Sequence, residues 1–313
     1  MPRRFLPFLS LLLLAGCART ASQNNVFIDP ALQSLVPADA KLLVGANLEA
    51  LKKSPIYQQH LSNEVAARLD DFARQTGLDP RKDIWELLIC SDGKRSVLMS
   101  RGHFDSTDLE PRLAKEGVRG TRYKSYTLYG DDKNVGVFMN TSTAMAGDAD
   151  MIKGILDHRD QAPALPALLK TAKEIPHSAQ FWAAFEGTAF RLPVPESSDL
   201  SNVNKMLSGL AGGTFYASLA SGLDFTAIGQ GTNIDNAKQI HDAMRALLGI
   251  MRLNTRTDQK DLLAIYDAVD VKQTDREVKV SAHIKDDLVE QLSNNVIFNQ
   301  MMVRKPPTSS REE

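Results

Sequence analysis

The chain has only two cysteines, Cys17 and Cys90, in 313 residues. A disulfide framework needs several cysteines at regular spacing, and a Cys-x-x-Cys zinc or redox motif needs a close pair; neither can be built from these two. Charge of one sign is missing as well. Lys and Arg total 37 against 38 Asp and Glu, a net charge of -1, so nothing suggests nucleic acid or a polybasic membrane patch as a partner. Long apolar runs are also absent. The longest, Phe5 to Gly16, covers 12 residues, where a spanning helix needs roughly 20. The six histidines, His60, His103, His158, His177, His241 and His283, include no pair at the i, i+4 spacing that puts two ligands on one helix face. No metal and no cofactor is expected. With 43% hydrophobic and 24% charged residues, there is still enough apolar material for a sizeable core.

The amino terminus carries the most specific signal. Arg3 and Arg4 form a basic start, Phe5 to Leu14 an apolar stretch, and Leu14-Ala15-Gly16-Cys17 follows at once. A basic start and a short apolar segment read as an export signal, not a structural helix. The ending resembles the lipobox of bacterial lipoproteins. That resemblance implies that Cys17 receives a diacylglyceryl group through its sulfur and becomes the first residue after cleavage. The alternative is a soluble exported protein whose signal contains a cysteine by chance. One acyl chain anchors only marginally and two or three hold firmly. Ala18 follows the cysteine; in well-known sorting systems of that family an aspartate there retains the protein at the inner membrane, so the outer membrane is favoured.

The expected organisation is therefore a signal peptide over 1–16 and a lipidated tether over 17–38, whose flexible span would be about 25 Å. Phe27, Ile28, Leu32 and Leu35 suggest that the second half of the tether docks on the domain. Beyond it, PADAKLLVGANL (37–48) matches PHSAQFWAAFEG (176–187), and DGKRSVLMSRG (92–102) matches SGLDFTAIGQG (221–231). The offsets, 139 and 129 residues, differ by one intervening segment, and a duplication is the economical explanation.

The expected fold class is α+β: a tandem duplication of a β-α-β-β-α-β-β-type unit, with mostly antiparallel sheets and packed helices. Repeat 1 covers 39–160, a connector 161–178, repeat 2 covers 179–296, and 297–313 is an expected disordered tail. Within repeat 1, a strand at Leu42 to Asn47 precedes a helix from Leu48 to Gln75 that Gly77 and Pro80 end. Further strands are expected at Trp85 to Cys90, Ser96 to Ser100, Thr121 to Tyr129 and Val135 to Asn140. A helix is expected at Asp108 to Glu116, capped by Ser106 or Asp105. The body, over most of 37–293, loosely resembles bacterial envelope proteins whose repeats open with a Pro-Ala-Asp-x-like strand. That resemblance brings no catalytic residues with it.

Chemistry is sparse. The carboxylate neighbours Asp70-Asp71, Asp131-Asp132 and Asp286-Asp287 read as helix and turn residues, not as two acids facing one cleft. Ser218 to Gly222 lacks the Gly-x-Ser-x-Gly spacing of a nucleophile elbow, and Gly229 to Asn233 reads as a helix cap. Cys90, after an apolar run, reads as a buried small hydrophobe. RLPVPESSDLSNVN (191–204) is an insertion in repeat 2 with no counterpart in repeat 1; Arg191, Pro193, Pro195, Glu196 and Asp199 are its candidate partner-contact residues. The expected function is a membrane-anchored envelope lipoprotein that binds or scaffolds, without enzymatic activity and without nucleic acid. Its partners are the membrane through Cys17 and either another envelope protein or a hydrophobic ligand. A carrier or sensor with a hydrophobic ligand between the repeats, and an envelope hydrolase, are the alternatives.

Overall fold

The computed structural model describes residues 25–61, 69–70, 73–74, 78–104, 106–159, 166–187 and 209–293. The signal and the start of the tether, most of 62–77, the insertion 191–204 and the tail lie outside the described residues.

The chain builds one twelve-stranded sheet in which every pairing is antiparallel. The strands are β1 (Leu42–Asn47), β2 (Ile84–Ser91), β3 (Ser96–Gly102), β4 (Gly120–Tyr123), β5 (Tyr126–Gly130), β6 (Asn134–Asn140), β7 (Thr143–Asp148), β8 (Phe181–Glu186), β9 (Leu210–Ser218), β10 (Leu223–Gly231), β11 (Val269–Thr274) and β12 (Glu277–Ile284). Their order is β11-β12-β10-β9-β8-β1-β2-β3-β7-β6-β5-β4. The helices are α1 (Pro30–Gln33), α2 (Leu48–Lys52), α3 (Pro80–Asp83), α4 (Ser106–Lys115), α5 (Ala149–His158), α6 (Ala167–Ala172), α7 (Ile234–Asn254), α8 (Lys260–Ala268) and α9 (Asp286–Ser293), with a π-turn at Tyr57–Leu61. The α+β class with a large antiparallel sheet is thus the observed architecture.

Several local expectations change. Gly77 lies outside the described residues, and Pro80 opens a short helix of its own, α3, behind an Asp79 cap whose carboxylate accepts from Arg81 N, because proline at the first helical position loses no hydrogen bond. The helix from Leu48 stops at Lys52, just before Ser54-Pro55, since the residue before a proline is pushed out of the helical region. Asp105 lies outside the described residues, and Ser106 is the first residue of α4 rather than its cap. The single strand expected over Thr121 to Tyr129 is a hairpin, β4 and β5, turning at Lys124, whose φ is +52°.

Residues directly opposite each other in adjacent strands share a face, and this register sorts the side chains. Leu43, Leu88, Cys90, Val97, Met99, Met145, Trp182 and Ala184 lie on one face and form the main core. The segment 26–36, α5 and α6 cover it: Ile28, Leu32, Ile152, Leu168 and Leu169 are all at most 2% exposed. Phe185, Val271 and Val278 lie on the opposite face, beneath Ala237 and Ile240 of α7. The two largest clusters therefore lie on opposite faces of the sheet, and a smaller one, Ile84, Phe104 and Ala144, buries part of the second face in the first half.

Candidate functional site

The segment expected to dock is fixed at its start. Val26 N donates to Ile175 O at 2.6 Å, and Asn25 bridges Pro176. Val26, Ile28, Leu32, Leu35 and Val36 are buried, while Phe27, expected to join them, is 51% exposed. Consecutive residues of an extended segment point to opposite sides, so Phe27 faces away when Val26 and Ile28 face in.

Asp29 is the polar centre of this contact. Its Oδ1 accepts from Ala31 N at 2.8 Å to cap α1, its Oδ2 accepts from Arg101 Nε at 2.9 Å, and its own N donates to Glu86 Oε1 at 3.0 Å. Arg101 Nη1 also donates to Ser142 O and Oγ, both at 2.8 Å, and to Thr143 Oγ1 at 2.5 Å. The guanidinium lies 5.8 Å from the Trp85 ring centroid. Burial pushes the Glu86 carboxyl up to about 7; the Asp29 N–H and Arg101 oppose that rise and the Asp29 carboxylate reinforces it. Titratable groups thus converge where the segment crosses β2 and β3. The cavity beside them, lined by Asn47, Glu86, His177 and Trp182, holds only about 10 Å³, room for one water at most. It is a latch without space for a substrate. The signal for it was visible: Arg101 continues the core-facing alternation of Val97 and Met99, and Glu86 interrupts an apolar strand.

A larger cleft of about 500 Å³ lies within the first half, between residues 34–39 and α5, lined by Leu35, Val36, Met151 and Ile155 with Arg95 and Asp150. At the junction of the halves, β1 and β8 pair directly and Trp182 fills the space over Gly45, where a Cβ would come within 2.1 Å of the indole.

The face opposite the main core carries a continuous apolar row across that junction. The register runs Ala146, Leu98, Ile89, Val44, Ala183, Phe215, Ala227, Val280 and Val271, one residue per strand. Its far end is packed beneath α7. Leu98 and Phe215 are 37% exposed and Ile89 is 38% exposed, while Val44 is half-buried and Ala183 is buried between them. Exposed large apolar side chains close together on one face are a general mark of interaction surfaces.

Of the residues singled out from sequence, Cys17 and the loop residues Arg191, Pro193, Pro195, Glu196 and Asp199 lie outside the described residues. Cys90 is fully buried and its thiol is pushed up to about 12 by burial, with Asp39 and Asp92 adding to the effect. Asp131 Oδ1 accepts from Lys133 N and Asn134 N and closes its turn; Asn233 caps α7 by accepting from Asn236 N. His103 stacks edge-on against Trp85, and His283 Nδ1 sits 2.6 Å from Asp224 Oδ1. Among the described residues no group of three His, Cys, Asp or Glu side chains could hold a metal ion, and no helix is long and apolar enough to cross a membrane.

No family model and no curated protein matches the chain. Solved structures are similar in outline. Crystal form I of TP0453 has 11% identity and a TM-score of 0.48, covering 88% of this chain and 98% of that one. Crystal form III has 11% identity and a TM-score of 0.49, covering 86% and 99%.

Proposed function

We propose that this chain is a cell-envelope lipoprotein, anchored through Cys17, that acts without catalysis as a binding or scaffolding module. The observation that carries the reading is the exposed Ile89, Leu98 and Phe215 row over a filled junction. A scaffold needs an apolar surface and no cavity between its halves; a carrier built between the halves would need the reverse. The basic start, the apolar stretch and Leu14-Ala15-Gly16-Cys17 support the anchor. The docked segment from Val26 onward would then hold the domain close to the bilayer, and Ala18 favours the outer membrane.

The body is a tandem duplication. Supporting this, β8-β9-β10-β12-β11 repeats the order of β1-β2-β3-β7-β6. The central pair is reciprocal: Asn47 N donates to Gln180 O at 2.8 Å and Glu186 N to Lys41 O at 2.9 Å, and the 139-residue offset maps each bond onto the other. Both leading prolines accept in the same turn, from Ala40 N at 3.2 Å and Ala179 N at 3.0 Å. Both hairpin glycines, Gly93 and Gly222, have φ of +93°.

The test is metabolic labelling with an alkynyl palmitate in a bacterial host, followed by membrane fractionation. The wild type should carry label and sediment with membranes, and Cys17→Ser should lose both. An unlabelled, soluble wild type would sink the anchor. Crosslinking through the apolar row tests the scaffold: Ile89→Ser with Phe215→Ser should abolish a crosslinked partner at a temperature where circular dichroism shows the variant still folded. The 500 Å³ cleft favours a second reading, a carrier of a hydrophobic ligand, though in the first half and not between the halves. Native mass spectrometry would reveal a bound lipid-range mass that denaturation removes.

A further inference from the structure

The β5 and β6 ladder is incomplete, and the gap has a distinctive chemistry. Pairing runs through Leu128 with Val137, Tyr129 with Gly136 and Gly130 with Val135, then stops. Continuing the register would pair Thr127 with Phe138, Tyr126 with Met139 and Ser125 with Asn140; instead these residues line a cleft of about 470 Å³. The bulge at Met139, between Phe138 and Asn140 in the β6 and β7 ladder, explains the split, since an extra residue bends its strand away from its neighbour. Backbone groups alternate sides along a strand. Gly130 N donates to Arg119 O on the β4 side, so Tyr129 and Thr127 direct their peptide groups toward β6. Those of Thr127 therefore open into the cleft.

Four aromatic residues line this gap, Tyr126, Tyr129, Phe138 and, buried beneath Phe138, Phe104. Phe138 lies 5.7 Å from Phe104 and 6.3 Å from Tyr129, centroid to centroid, in tilted arrangements. Around them are hydroxyls of Ser125, Thr127 and Thr141 and the amide of Asn140. Asn140 Oδ1 accepts from Ser142 N at 2.9 Å and from Ser142 Oγ at 3.1 Å, which orients the amide and leaves its Nδ2 to donate elsewhere. Among the described residues no charged side chain lines the cleft. The volume is in the range of small-ligand sites.

This combination selects a ligand class. The described lining offers no charged side chain to hold a phosphate or a metal ion. A purely apolar ligand would leave the hydroxyls, the amide and the open peptide groups unpaired, at a cost for each one desolvated. A ligand with hydroxyls around its rim and C–H groups on its flat faces satisfies both sets, the C–H faces packing on the rings. We infer that the β5 and β6 cleft is a saccharide-binding site for one or two sugar rings. It lies toward the β4 edge of the sheet, away from the β1 and β8 junction, and is independent of the scaffold reading.

The experiment is isothermal titration of the full-length protein, held in a sugar-free detergent, with chitotriose and with maltotriose. At least one should bind the wild type. Asn140→Ala and Tyr129→Ala should each weaken binding at least about tenfold, and Arg256→Ala, on the exposed turn after α7, should not. Thr127→Val, which keeps a β-branched side chain and removes only the hydroxyl, supplies a readout if Tyr129→Ala fails to fold. Failure of both sugars to bind the wild type, or binding that survives Asn140→Ala and Thr127→Val, overturns the inference. So does binding of an extended trialanine peptide with no sugar bound, which would assign the gap to strand addition.

Discussion

Glu86 and Cys90 sit four residues apart on β2, and burial acts on both, with different consequences. In the folded protein the Glu86 carboxyl titrates at about 7 instead of its ordinary 4.5. Between those values the folded state holds a proton that the unfolded chain has released, so stability falls as pH rises through this window. Glu86→Gln keeps an acceptor for Asp29 N and removes the titration. Urea midpoints of the variant should be flatter than wild type between pH 5 and 7 and higher near pH 7; equal slopes would mean that Glu86 ionises freely. Cys90 is a simpler case. A thiol held near 12 and fully buried presents almost no thiolate. In a Cys17→Ser background, iodoacetamide should label Cys90 only after unfolding, as mass spectrometry of the tryptic peptide would reveal.

At the scale of elements, the β1 and β8 pair joins the halves, and it packs small against large. Gly45 faces Trp182 and Leu43 faces Ala184, so the glycine is set by contact, not by backbone conformation. Trp182→Ala empties that space and should cost about 3–5 kcal/mol in chemical denaturation. Gly45→Val should be comparably damaging, because its Cβ would meet the indole at 2.1 Å. The hairpin glycines separate two effects. A Cβ at Gly93 meets nothing nearer than 3.9 Å, whereas one at Gly222 meets Ile284 O at 2.4 Å. Gly93→Ala should therefore cost about 1 kcal/mol for its left-handed backbone, and Gly222→Ala distinctly more. Equal losses would mean that the second hairpin relaxes freely.

For the whole molecule, one continuous sheet has a consequence that two separate domains would not. The main core includes Leu43 and Leu88 from the first half together with Trp182 and Ala184 from the second. Neither half can unfold without exposing the other's apolar face, so unfolding should be a single cooperative transition. The two tryptophans, Trp85 and Trp182, lie on either side of the junction. Single-tryptophan variants, Trp85→Phe and Trp182→Phe, should report the same urea midpoint as circular dichroism once each is corrected for its own stability change. Two separated transitions would mean that the halves are independent domains.

The amino-acid sequence by itself determined what depends on neighbours along the chain. The strands alternate as their apolar residues do, Asp29, Asp79, Asp148 and Asn233 cap helices as their positions dictate, and the export-like pattern ending at Cys17 is local in the same way. Most of the strands and the α+β class were legible for that reason. Tertiary structure alone decided how the halves join. Nothing in either strand states that β1 pairs with β8, that the two largest clusters form on opposite faces, or that Asp29 and Arg101 meet across 72 positions. Those outcomes follow from which apolar face finds a cover and which buried charge finds a partner. The exposed row and the β5 and β6 cleft are likewise legible only once the register between strands is fixed, because a shift of one residue would turn every side chain to the other face.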